Sequence, residues 1–397
     1  MNERHVVRAM LLASALAVAA TGAAAQTVKI GLLSTYSGPN AQYGENMERG
    51  MRLYMKRNAG KLPAGVKVEL IPRDDGGPNP DNAKRLAQEL IVRDKVDLLA
   101  GFVWTPNALA VAPLITEAKV PTVIMNAASS VITTRSPYFV RFSFTEWQVT
   151  YPLARWAAKN HRRAYVLVSD FAPGHDAEAA FEKGFTEGGG SLIAKVRMPL
   201  ANPDFVPFVQ RAKDAAPDVV YAFVPAGRQS LQVVKAFDDL GLGKAGIKLI
   251  GSGNITTDEE LQNMGEVTLG VVTSYHYSMA ADRPANRAFQ AAFVEEYGTR
   301  AVANFTTVTA WDAMDAIYAA IRAQAGRLDP DRTMELLRNY KNPESPRGPI
   351  SIDPQTRDIV QNIYIREVRR LGGRLANVEL DVVPDVKDPW KLLKDAK

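Results

Sequence analysis

The chain has 397 residues, enough for two domains with cores of their own. It contains no cysteine, which excludes disulfides, thiolate metal sites and a cysteine nucleophile. Its formal charge of +5 comes from dispersed lysines and arginines, and the lack of a basic run argues against nucleic acid as a partner.

Residues 1–25 read as a secretory signal peptide. Arg4 and Arg8 give a positive start, "AMLLASALAVAA" is an apolar stretch too short to span a membrane, and Ala23-Ala24-Ala25 is a small-residue cleavage site. Gln26 is then the mature N-terminus. No second apolar span follows, so the expected location is the periplasm, where a chain without disulfides relies on its core for stability.

From Val28 onward, strand-like and helix-like stretches alternate. Val28–Leu33 reads as a strand and Gly44–Asn58 as a helix with Met47, Met51, Tyr54 and Met55 on one side. Val66–Ile71 is the next strand. A helix opens at Asn79-Pro80 and carries Ala83, Leu86, Ala87, Leu90 and Ile91 at helical spacing. Val96–Gly101 is a strand, Pro106–Ala118 a helix and Thr122–Met125 a strand. This order marks a parallel sheet covered by helices on both faces.

A second series starts near Glu146. Gln148–Lys159 and Asp176–Glu187 are its first helices. Its strands are Ala164–Val168, Ser191–Val196, Val219–Phe223, Leu249–Ile250 and Gly270–Ser274. A helical block follows at Pro284–Tyr297, Thr306–Gln324 and Pro330–Asn339. After it, "GPISIDPQTRDIVQNIYIREV" reads as two strand patterns about a turn. The expected fold is therefore α/β, with two doubly wound parallel-sheet lobes. In such sheets ligands lie beyond the carboxyl ends of strands, where strand order reverses. Two facing lobes would place these loops across one cleft and work as a hinged clamp.

The strand-end loops hold the candidate binding residues. Thr105, followed by Pro106, reads as a helix N-cap, and a helix N-terminus offers free amides and partial positive charge to an anion. The neighbouring strand ends at Ala127-Ala128-Ser129. A carboxylate can there accept from the Thr105 hydroxyl and amide and from the Ala128 and Ser129 amides, with no arginine required. Phe102, Trp104, Tyr43 and Phe171 are expected to wall a flat ring. Ser37 belongs to the tyrosine-rich loop after the first strand, while Arg228, Asn254 and His276 are candidates to meet a ring hydroxyl. No catalytic residue, cofactor or metal site is expected. The HExxH pair, a phosphate-loop lysine motif and the GxSxG elbow are all missing, and the four histidines lack ligand spacing. Asp74-Asp75 reads as a turn former ahead of "GGPNP".

Several of these segments carry a resemblance: "VKIGLLSTYSGPNAQYGENMERGMRL", "IPRDDGGPNPDNAKRLAQELIVRDKVDLLAGFVWT", "VPTVIMNAASS" and "DFAPGHDAEAAFEKGFTEGGG". Together they resemble the branched-chain-amino-acid-type solute-binding proteins of ABC transporters. The resemblance implies a type I periplasmic binding fold with three hinge crossings. It places residues 26–145 and 278–345 in an N-terminal lobe, and 146–277 and 346–397 in a C-terminal lobe. It also implies a monomer that delivers its ligand to membrane permease subunits. In that family the positions of Thr105, Ala128 and Ser129 hold the ligand carboxylate. An acid usually holds the α-ammonium in the loop that here reads Gly251-Ser252-Gly253-Asn254, and a tyrosine usually stands where this chain has Pro173. Those departures argue against an amino acid, because an unpaired ammonium in a closed cleft is costly. "DFAPGHDA" and "GFVWTPNA" resemble the subgroup that carries benzoate and hydroxycinnamates. The expected function is capture of a small aromatic carboxylate for import. The alternatives are the same role for a branched-chain or other aliphatic amino acid, an amide or a dicarboxylate; a hydrolase on this scaffold; or a sensor domain.

Overall fold

A computed structural model describes residues 26–395; the proposed signal peptide lies outside the described residues. The first sheet contains β1 (Gln26–Ser34), β2 (Val66–Asp74), β3 (Leu98–Gly101), β4 (Thr122–Ile124) and β5 (Phe139–Arg141). Their order is β2-β1-β3-β4-β5, and every pairing is parallel. Val28, Ile30, Leu32 and Leu33 of β1 are fully buried, as expected for a strand with helices on both faces. The covering helices include α1 (Gln42–Arg57), α2 (Pro80–Gln88, continued by a π turn over Glu89–Arg93) and α3 (Thr105–Ala118).

The second sheet is mixed. Its parallel part is β6 (Arg163–Ser169), β7 (Ser191–Met198), β8 (Val219–Phe223), β9 (Lys248–Ser252) and β10 (Val272–Tyr275), in the order β7-β6-β8-β9-β10. It is covered by α4 (Glu146–Ala157), α5 (Ala172–Glu187), α6 (Val206–Asp214) and α7 (Arg228–Asp239). Beyond β10 the sheet turns antiparallel through β11 (Lys341–Asn342), β12 (Ile350–Ile352), β13 (Ile359–Leu371) and β14 (Arg374–Val386). A further helix, α8 (Pro284–Tyr297), precedes α9 (Phe305–Ala323) and α10 (Pro330–Arg338), and α11 (Pro389–Asp395) follows β14.

The helical block after β10 packs back onto the first sheet's helices. α9 runs against α1 so closely that a Cβ on Gly50 would sit 2.4 Å from the Thr307 carbonyl oxygen. The segments that pass between lobes are tied by ion pairs with no solvent exposure. Arg347 pairs with Asp312 at 2.7 Å and donates to the Phe142 carbonyl at 2.8 Å and to Gln361 Oε1 at 3.0 Å. Arg141 pairs with Asp358 at 3.1 Å.

Both sheets reverse strand order beside their first strand, between β1 and β3 and between β6 and β8. Those two switch points face the same cleft, so the loops after Gly101, Ser169 and Phe223, with Tyr43 of α1, form its walls.

Candidate functional site between the lobes

The chain leaves β3 through two residues with positive φ, Gly101 (105°) and Phe102 (63°). A Cβ at Gly101 would lie 2.4 Å from the Leu33 carbonyl oxygen, so only glycine fits there. Phe102 donates its amide to that carbonyl at 2.8 Å and accepts the Ala127 amide at 2.9 Å. These bonds stitch three strand ends together and lift Trp104 and Thr105 into the cleft. Phe102 itself is fully buried beneath the floor and does not line the cavity, so its expected role as a ring wall passes to other residues.

The cavity is narrow. Val103, Trp104, Thr105, Asn126, Ala128 and Tyr43 line it from the first lobe, and Phe171, Pro173, Phe223, Pro225 and Asn254 from the second. Phe144 and Glu146 line it where the chain passes between them. Its aromatic walls are braced: Phe171 stacks on Phe223 with centroids 6.0 Å apart, and Tyr43 lies 6.3 Å from Trp104. The Trp104 indole N–H donates to Thr35 Oγ1 at 2.9 Å, and the Thr35 hydroxyl donates to Asp75 at 2.7 Å. Asp75 also accepts from Asn107 Nδ2 at 2.9 Å. The aspartate read from sequence as a turn former is thus also the buried anchor that fixes the tryptophan ring.

The polar end is built from backbone. The helix cap at α3 is Trp104, not Thr105, and it makes no side-chain capping bond; Thr105 is the first helical residue. The amides of Thr105 and Asn107 belong to the first turn and have no acceptor among the described residues. Ala128 lines the cleft, and its amide likewise lacks an acceptor there. Ser129 differs from expectation. Its amide donates to Thr105 Oγ1 at 3.3 Å and its hydroxyl donates to Asp176 at 2.6 Å, so it frames the site one layer back. The Thr105 hydroxyl proton stays available to an anion.

Asp176, on α5 of the second lobe, also accepts the Ser130 amide at 3.0 Å. Across the other side of the cleft, the Ala226 amide donates to the Tyr43 hydroxyl at 3.2 Å and Asn40 Nδ2 donates to the Ala226 carbonyl at 3.3 Å. These contacts hold the lobes shut around the cavity.

Three remaining candidates lie elsewhere. Ser37 is exposed and does not line the cavity. Arg228 is exposed on a separate depression shared with Pro39, Asn40 and Pro203. His276 is fully buried behind Phe144, their rings 5.1 Å apart; burial, with Arg347 and Arg366 nearby, pushes its pKa well down and keeps the ring neutral. Asn254 does line the cavity: its Oδ1 accepts from the Tyr275 hydroxyl at 2.9 Å, and its amide lies 3.5 Å from Glu146 Oε1.

Sequence reasoning passed over Glu146, Phe144 and Phe223 as cleft residues, and Asp176 as the acid behind the cleft that accepts from Ser129 and Ser130. Thr145 and Gln148 form a capping box, so "TEWQ" fixes where the helix starts and carries Glu146 at its first position. Burial and the nearby Asp176 raise the Glu146 carboxyl well above the usual range. Among the described residues no cluster of histidines and acids could hold a metal, and no helix is long and apolar enough to cross a membrane.

A family model for periplasmic binding proteins matches residues 27–373. The chain belongs to that family. It is the solute-binding component of an ABC transporter, a family of transport proteins whose location is the periplasm. A Leu/Ile/Val-binding protein homolog from Brucella melitensis is 42% identical over 374 residues, covering 94% of this chain and 95% of the relative. A solute-binding protein from Rhodopseudomonas palustris BisB5, solved with 3,4-dihydroxybenzoic acid, is 48% identical with a TM-score of 0.87, covering 92% of this chain and 99% of that one. Another from R. palustris, solved with 4-hydroxybenzoate, is 44% identical with a TM-score of 0.89, covering 93% and 100%. A leucine-binding protein from Thermotoga maritima, 24% identical with a TM-score of 0.78, shares the fold.

Proposed function

We propose that this solute-binding protein captures one small aromatic carboxylate between its lobes and delivers it, as a periplasmic monomer released from its signal peptide, to the permease subunits of an importer. The observation that carries this reading is the pairing of free backbone amides at Thr105 and Ala128 with a slot walled by Trp104, Tyr43, Phe171 and Phe223. The amides and the Thr105 hydroxyl bind the carboxylate with the aid of the α3 N-terminus. The rings enclose the flat tail. The two lobes close about the segments that Arg347 ties together, and the ligand favours the closed form by adding contacts to both. The solved relatives that carry hydroxybenzoates support the ligand class.

A second reading, an aliphatic amino acid, draws on the names of the curated relatives and on Glu146, an acid in the cleft that an ammonium group could meet. Calorimetric titration with benzoate, 4-hydroxybenzoate and leucine separates the two. The aromatic acids should bind and leucine should not; tight binding of leucine alone would reject the aromatic reading.

A further inference from the structure

Besides the free backbone amides, one side-chain polar atom of the cleft lining has nothing to bind. Glu146 Oε2 is buried and unpartnered, although the residue lines the cavity. Its other oxygen has only the long contact from Asn254 Nδ2 at 3.5 Å. No lysine, arginine or histidine among the described residues makes an ion pair with it; the titratable groups around it are Asp176 on α5, Tyr43 on α1, Tyr221 on β8 and Tyr275 on β10. Native proteins rarely leave a buried carboxyl oxygen unpaired, and at a binding cleft the missing partner is a ligand atom.

We propose that Glu146, with Asn254 beside it, reads a ring hydroxyl, so that the protein selects hydroxylated aromatic acids over benzoate. This rests on the aromatic-carboxylate reading and specifies the substrate class within it. A phenolic hydroxyl can both donate and accept, so it suits a carboxyl and a carboxamide set side by side. Desolvation and the nearby Asp176 raise the Glu146 carboxyl above the usual range, which favours a neutral ligand group such as a hydroxyl beside it. Benzoate leaves Oε2 as it stands here, and sites that bond a substrate hydroxyl discriminate strongly against analogues that lack it.

The test is titration of the wild type, Glu146→Gln and Glu146→Ala with benzoate, 3-hydroxybenzoate and 4-hydroxybenzoate, with thermal melts to check folding. The wild type should bind the better hydroxybenzoate about tenfold or more tightly than benzoate, the factor that one hydrogen bond to a buried acceptor supplies. Glu146→Ala should cut that ratio to about threefold or less; Glu146→Gln should keep most of it. If Glu146→Ala does not fold, the Glu146→Gln and Asn254→Ala ratios decide: loss of preference on removing the Asn254 amide supports the proposal, and an unchanged ratio in Asn254→Ala overturns it. An unaltered ratio in Glu146→Ala, or an equal loss for benzoate, also overturns it. So does leucine binding that disappears in Glu146→Gln. If no aromatic acid binds the wild type, the proposed function itself fails; if benzoate binds as tightly as the phenolic acids, this inference alone fails.

Discussion

Thr105 carries the proposed anion site because its backbone and its side chain serve different ends of the same job. Its hydroxyl accepts the Ser129 amide, which orients it, and keeps a proton for the ligand. Removing it in Thr105→Ala should weaken benzoate-type ligands by about 1–3 kcal/mol, the cost of leaving a charged acceptor one donor short in a desolvated site; calorimetry measures this directly, and unchanged affinity would put the carboxylate elsewhere. Trp104 is held by Thr35 and Asp75, so Trp104→Ala should cost ring-bearing acids more than small aliphatic acids, and equal losses would assign it to packing alone. Both residues were legible as cleft-lining positions, because two neighbouring strands of a doubly wound sheet end beside each other there. Glu146 and Asp176 were not legible. Each sits in the first turns of a helix, where acids are common caps, and only the folded lobes bring Glu146 to the cleft and Asp176 to Ser129 and Ser130 behind it. Arg228 and His276 misled for the converse reason: both follow strands, but one points to solvent and the other into the core.

At the scale of elements, the passage between lobes depends on a buried arginine. Arg347 holds Asp312 on α9, the Phe142 carbonyl on the first crossing and Gln361 on β13, so three stretches far apart in sequence share one guanidinium. Arg347→Ala would leave the Asp312 carboxylate buried and alone, and denaturant unfolding should show a loss of about 3–5 kcal/mol, as for other broken buried pairs. A loss below about 1 kcal/mol would mean that water reaches the site. The main strands and helices were readable from periodicity because their apolar faces are long: α1 shows Met47, Met51 and Tyr54 on one side and buries them. β5 escaped because its three residues end on the charged Arg141, and β14 because much of its length is exposed and Pro384 interrupts its run. The antiparallel end of the second sheet follows from that hairpin and from β10 pairing with β13, which no local pattern shows.

Across the whole molecule, the design encloses several acids away from water, and this sets its response to pH. Burial pushes Glu259 up to about 7, with Asn304 Nδ2 its one strong partner at 2.8 Å. The native state therefore holds a proton that the unfolded chain, with an ordinary glutamate, releases at lower pH. That contribution to stability is complete below the unfolded pKa and is lost as pH rises through about 7. The melting temperature should accordingly be lower at pH 8 than at pH 5.5, and Glu259→Gln should flatten the difference; an unchanged slope in the variant would place the titrating group elsewhere. The two-lobed architecture was legible from the repeated alternation of strands and helices. That the block from Pro284 to Arg338 packs on the first sheet's helices was not legible from its own pattern, since an amphipathic helix does not name its partner. A crystal structure with 4-hydroxybenzoate tests the binding mode most directly. The carboxylate should lie within hydrogen-bonding distance of Thr105 and the Ala128 amide, its ring between Trp104 and Phe171, with both lobes in contact; a ligand carboxylate bound away from Thr105 and Ala128, or a cleft that stays empty at saturating acid, would contradict it.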